Sequence, residues 1–144
     1  MDIKRCVEDI SEVLCITTPE VSFDISNFTT PTMLAQVDVV NNKIYIKNQA
    51  KSDLDLVFTI CHELRHLWQI KNDKEKYANN YHTAETMNVE EYNLQPAEVD
   101  ANAFASLFMQ EMFGVKPLWN GLNNKVKTAI EKRATEIREE MKLS

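Results

Sequence analysis

Residues 56–68 read Leu56-Val57-Phe58-Thr59-Ile60-Cys61-His62-Glu63-Leu64-Arg65-His66-Leu67-Trp68. Leu56, Val57, Ile60, Cys61, Leu64, Leu67 and Trp68 recur at helical spacing and predict a largely buried helix over residues 53–70. Ser52 stands three residues before Asp55, a weak variant of the capping box, in which Glu or Gln is usual. Inside this helix lies H-E-x-x-H, residues 62–66. At about 100° per residue, His66 lies roughly 40° around the helix from His62. Both imidazoles therefore leave one face, one turn apart, and can share a metal ion. Glu63 lies about 60° beyond His66 on that side. It can reach a metal-bound water without ligating the metal. The apolar stripe, centred near Leu64 and Ile60, faces the opposite way.

Zinc suits two neutral imidazoles, and catalytic zinc sites use three protein ligands plus a water. The metal would lower the pKa of that water, and Glu63 would take its proton and pass it to a leaving amine. H-E-x-x-H carries little information alone, and on a surface helix it is often only a solvated polar face. The strongly apolar back of this helix argues for the metal. For a third ligand the chain offers His82, in a polar stretch, and Glu98 and Asp100 on a helix expected after Pro96. Glu98 and Asp100 point about 200° apart, so only one can face the metal. Ala101 and Ala105 share the side of Glu98, and small residues there allow two helices to approach closely. Asp100 shares its side with Leu107 and Glu111. Glu98 is therefore the preferred ligand, although a carboxylate in a first turn also complements the helix dipole. Asn102, one turn on from Glu98, is placed for a hydrogen bond to a ligand histidine.

Outward from this helix, Ile3, Cys6, Val7, Ile10, Val13 and Leu14 predict an amphipathic helix over residues 2–15. Val21, Phe23 and Ile25 alternate as a short strand. Met33–Val40 and Lys43–Lys47 read as a hairpin turning at Asn41-Asn42, with Ile44 and Ile46 on one face. Residues 71–95 read as a long polar loop. A helix follows from Pro96 to Phe113 with Gly114 as its C-terminal cap. Leu122, Val126, Ala129, Ile130, Ile137 and Met141 mark a last amphipathic helix, on which the charged residues from Glu131 to Glu140 read as a solvated face. Clustered strands favour an α+β fold over a doubly wound sheet, in a single domain over residues 1–144.

Lys+Arg 16 against Asp+Glu 22 gives a net charge of −6, which opposes nucleic-acid binding. No apolar run approaches the roughly 18 residues of a membrane helix, and MDIKRCVEDI does not read as a signal peptide. Three cysteines rule out a pure disulfide framework and point to reduced thiols in a cytoplasmic setting.

H-E-L-R-H followed by Glu98-Val99-Asp100-Ala101-Asn102-Ala103-Phe104-Ala105 resembles the gluzincin metallopeptidases, most closely the ImmA/IrrE-type family of small peptidases from bacteria and mobile elements. That family pairs HExxH with a helix of the form E-x-x-A-N/D-x-F-A. The likeness covers about Asn41 to Phe113. It departs at Arg65, where many members have Gly, and after Ala105, where the chain reads Leu107-Phe108-Met109-Gln110 rather than a Leu-Met-Pro. The resemblance implies a minimal zincin, with a small antiparallel or mixed sheet packed on the metal helix and an edge strand, here within Met33–Lys47, holding an extended peptide. It carries over as ligands His62, His66 and Glu98, base Glu63 and Zn2+ as cofactor. The implied function is a zinc-dependent peptidase acting on a protein or peptide. The alternatives are a regulatory binding protein on the same fold with little hydrolysis, and a helical interaction domain with a chance motif. Zincins commonly add a Tyr or His to stabilise the oxyanion, and Tyr77, Tyr81, His82 and Tyr92 are the candidates.

Overall fold

The computed structural model describes residues 2–26, 28, 35–47, 52–77, 87–116 and 122–141. Helix α1 runs Ile3–Leu14. The side chain of Asp2 caps it by accepting from the Arg5 amide, and Cys15, at φ 56°, closes its C-terminal end. Strands β1 (Glu20–Ser22), β2 (Ala35–Asp38) and β3 (Lys43–Ile46) form a sheet in the order β1-β3-β2. β3 pairs parallel with β1 and antiparallel with β2, so the sheet is mixed. Ile44 and Ile46 of β3 are fully buried, as the alternation predicts.

Two sequence expectations change here. β1 ends at Ser22, and Phe23 and Ile25 lie beyond it, exposed. The hairpin turn spans residues 39–42 rather than Asn41-Asn42 alone, because Asp38 pairs with Lys43. The Asp38 carboxylate holds this turn by accepting from the backbone and side-chain amides of Asn41, while Asn42 takes the left-handed conformation at φ 53°.

α2 runs Asp53–Asn72, with Ser52 Oγ accepting from the Asp55 amide at 3.2 Å. The stretch expected as loop contains α3 (Lys74–Tyr77) and α4 (Val89–Asn93). Both are too short for their periodicity to register in sequence. Residues 78–86 lie outside the described residues, as do Met33 and Leu34 of the expected hairpin and residues 117–121. α5 runs Pro96–Phe113 and ends at Gly114, φ 65°, whose amide donates to Gln110 O. α6 runs Asn124–Glu140 under an Asn123 cap.

α2 packs against α1, β2 and α5, and α5 packs against α6. One apolar core joins Val7 and Ile10 of α1, Ile44 and Ile46, the stripe from Leu56 to Leu64, Phe104 and Phe108, and Val126, Ile130 and Ile137. Ala97, Ala101 and Ala105 of α5 are buried. Their small side chains let the start of α5 come close enough to α2 for a side chain of α2 to bond the Ala97 carbonyl. Among the described residues no helix is long and apolar enough to cross a membrane.

Candidate metal centre

The burial of the stripe on α2 fixes the helix rotation and turns His62, Arg65, His66 and Gln69 toward α5. At about 100° per residue these four fall within roughly one third of the helix circumference. Opposite them, the first two turns of α5 present Glu98, Asp100 and Asn102, all buried.

His62 Nε2 and His66 Nε2 lie 3.0 Å apart. The Glu98 carboxylate meets both, with Oε1 3.3 Å from His62 Nε2 and Oε2 2.9 Å from His66 Nε2. The other ring nitrogens are engaged away from this point. His62 Nδ1 is 2.8 Å from Asn102 Oδ1, and His66 Nδ1 is 2.9 Å from Gln69 Oε1. An amide oxygen only accepts, so each Nδ1 carries a proton and each neutral imidazole aims an Nε2 lone pair at Glu98. With both imidazoles neutral, three electron-rich atoms would converge here without a positive charge between them. A cation resolves this. Ligands about 2.0–2.1 Å from a tetrahedral metal stand roughly 3.3 Å from one another, close to the separations found here. The donor set therefore fits a divalent metal. Glu63 belongs to the same cluster, since its carboxylate and the two imidazoles offer ligand atoms within 4.8 Å of one another.

In the metal-free protein a proton takes the cation's place. Burial disfavours charge on His66, but the hydrogen bond to Glu98 and the charges of Glu63 and Glu98 outweigh it and raise its pKa to about 9. Burial likewise favours a neutral Glu98, yet hydrogen bonds from His62 and His66 hold its carboxyl far below the usual range. A raised pKa stabilises the metal-free fold fully below the ordinary histidine value of 6.5, and that contribution is lost as pH rises through about 9. A metal entering below that pH must displace the proton. Calorimetric titration with zinc, in buffers of different ionisation enthalpy, is expected to register about one proton released per ion near neutral pH. Apparent affinity should climb until pH passes about 9. Zinc uptake with no proton release would remove His66 from the ligand set.

Of the oxyanion candidates, Tyr81 and His82 lie outside the described residues. Tyr77 is buried, its hydroxyl 3.4 Å from Arg133 Nη2 and its ring 6.3 Å from that of Trp68. Tyr92 sits half-buried on α4. Cys61, next to His62, is a core thiol whose pKa burial pushes well above its ordinary value.

Arg65, Gln69 and Arg133 have no part in the site expected from sequence, and Asp100 enters it there only as an alternative ligand. Asp100 is 1% exposed and accepts from Arg65 Nε (2.7 Å), Arg65 Nη2 (3.0 Å) and Arg133 Nε (2.8 Å). Arg65 is equally buried, its guanidinium 3.6 Å from the centre of the Trp68 ring. Arg133, expected on a solvated face, is 13% exposed because it turns inward to Asp100. Gln69 is 1% exposed between His66 and Asp100. The sequence did carry a signal for two of them. Arg65 and Gln69 fall on the histidine side of α2 by helical phase.

A helix that buries its back in the core and meets a neighbouring helix through two imidazoles and a carboxylate belongs to a metallopeptidase of the HExxH, zincin type. The family model described as "Putative metallopeptidase family (DUF6782)" matches residues 18–141, and the chain belongs to that family. The ImmA/IrrE-type resemblance is met at this level, that of a metallopeptidase. No curated protein and no solved structure matches the chain.

Proposed function

We propose that the protein is a zinc-dependent peptidase in which His62, His66 and Glu98 hold the zinc, Asn102 orients His62 and Glu63 is the general base. The observation that carries this reading is the convergence of two Nε2 atoms and one buried carboxylate within 3.3 Å of one another. Two imidazoles and one carboxylate form the ligand set of open catalytic zinc sites. When bound, zinc acts as a Lewis acid on the scissile carbonyl and acidifies the attacking water.

The chain's own residues supply the rest. Glu63 stands on the same side of α2 as the histidines but is less buried than Glu98. That leaves its carboxylate free to accept a proton from the attacking water and deliver it to the leaving amine nitrogen. Glu98 keeps its charge and offsets that of the metal. β2 is an edge strand that contacts α2, and among the described residues no strand pairs with its outer side. An extended segment of a protein or peptide substrate could pair there and cross above the metal helix. The three free thiols suit a reducing compartment, and we place the protein in the cytoplasm.

Metal analysis of protein purified without added zinc, with zinc titration of variants, tests the ligand set. His62→Ala and Glu98→Ala should each lose most zinc affinity, with metal-free melting measured alongside. Asp100 is held instead by Arg65, Gln69 and Arg133, so a loss of zinc at Asp100→Ala with full retention at Glu98→Ala would reverse the assignment. Cleavage of a mixed peptide library by the zinc-loaded protein tests the activity.

A further inference from the structure

Gln69 lies outside the H-E-x-x-H pattern, three residues beyond His66 on the same face of α2. All its side-chain polar atoms are engaged. Oε1 is 2.9 Å from His66 Nδ1, while Nε2 donates to Ala97 O at 2.9 Å and to Asp100 Oδ2 at 2.8 Å. Asp100 is in turn gripped by Arg65 from α2 and Arg133 from α6. We propose that Gln69 is the positioning residue of His66, and that the buried Arg65–Asp100–Arg133 cluster keeps its amide oxygen turned toward the imidazole. The inference rests on the metal-site reading above and extends it to residues of three helices.

The two orientations of the Gln69 amide are not equivalent. With the oxygen toward His66, the imidazole holds its proton on Nδ1 and leaves Nε2 open toward Glu98. Rotated by half a turn, the amide would offer N–H to Nδ1, drive the proton to Nε2 and block the nitrogen that a metal needs. The rotated amide would also set its oxygen against two acceptors, Ala97 O and Asp100 Oδ2. Asp100, flanked by two guanidinium groups, has only acceptors to offer. Ala97 O is fixed by the close approach of α5 to α2. The surroundings therefore permit one orientation, and the tautomer of a metal ligand is set by charges that do not touch it. Asn102 performs the corresponding contact at His62, but no second residue holds its amide among the contacts described for it.

Gln69→Met keeps the length and burial of the side chain and removes both the oxygen and the amide protons. Competition with a chelator of known zinc affinity should show binding weakened about 10–100-fold relative to wild type. Nitrogen-15 spectra of zinc-loaded protein labelled at histidine should show the His66 Nδ1–H signal shifted or lost to exchange, with that of His62 unchanged. Metal-free melting will fall as well, because Ala97 O and Asp100 Oδ2 lose a donor. A purely structural Gln69 would lower melting alone and leave zinc affinity and the His66 signal at wild-type values, which would overturn the proposal. Should Gln69→Met fail to fold, Arg133→Gln loosens the cluster from its more accessible end. It should weaken zinc binding by a smaller factor and shift the same His66 signal; no change in either would also overturn the proposal. A wild type that takes up no zinc would overturn the metal-site reading and this inference together. Wild type and Gln69→Met binding zinc equally, with His62→Ala binding none, would overturn the inference alone.

Discussion

Glu63→Gln is expected to keep its zinc and lose peptidase activity by about 10²-fold or more, the effect of removing a positioned general base. The expectation comes from where the carboxylate stands. The close triangle around the metal position is made by His62 Nε2, His66 Nε2 and the Glu98 oxygens, with edges of 2.9–3.3 Å. Glu63 offers its carboxylate within 4.8 Å of the two imidazoles but is not part of the proposed ligand set, so replacing it should leave that set whole. The substitution also removes one of the charges that raise the proton affinity of His66, which eases competition between proton and metal at neutral pH. Gln keeps the size of the side chain and can still hydrogen-bond a water, but it cannot take the proton. The measurement pairs zinc titration with cleavage of a mixed peptide library by both proteins. Equal cleavage would remove Glu63 from the mechanism. Zinc bound by both with no cleavage by either, extended to protein substrates, would favour the binding-protein alternative.

The two helices that build the site were legible in the sequence because each has a long and regular pattern. The stripe from Leu56 to Trp68 gave the phase of α2, and the phase placed His62 and His66 together. Pro96 and Gly114 bracketed α5 within a residue of its observed bounds, and Ala101 and Ala105 marked its face of close approach. The weaker elements were misjudged for local reasons. α3 and α4 have four and five residues, less than two helical turns, so no periodicity can develop. β1 pairs over three residues only, and the alternation through Phe23 and Ile25 continues beyond the end of the pairing. The pairing of Asp100 with Arg65 and Arg133 escaped notice for a different reason. Charged residues at helical spacing read as solvated unless a partner is known. The partners here are 33 and 35 residues apart in sequence, joined only by the packing of α2, α5 and α6.

Asp100→Ala is expected to destabilise the metal-free protein by about 3–5 kcal/mol, the cost of leaving a buried charge without its partner. The damage falls unevenly on the two arginines. Arg133 also donates to Glu136 at 3.1 Å and Glu140 at 2.9 Å, near the surface, so it can turn outward. Arg65 is 1% exposed, and its Nη1 already has no hydrogen-bond partner among the described residues. Without Asp100 its guanidinium keeps the Trp68 ring at 3.6 Å and the Phe104 ring at 5.2 Å but loses its anion. Arginine cannot discard its charge by deprotonation. A domain of this size has about 5–15 kcal/mol to lose, so the variant should melt far below wild type. Arg65→Met should cost less, because Asp100 retains Arg133 and Gln69. The double variant should recover much of the loss at Asp100, giving a coupling energy that denaturant titration of all four proteins measures directly. The pH dependence follows from the direction of the Asp100 shift. Burial favours the neutral acid, but the hydrogen bonds from Arg65, Gln69 and Arg133 outweigh it and lower the pKa below its ordinary 3.8. A lowered pKa contributes stability that is complete above the ordinary value and is lost as pH falls through the folded one. The difference between wild type and Asp100→Ala should therefore be flat across neutral pH and shrink only in acid, below about pH 4. A difference that disappears near neutral pH, or a double variant no more stable than Asp100→Ala, would show that the buried arginine does not depend on this carboxylate.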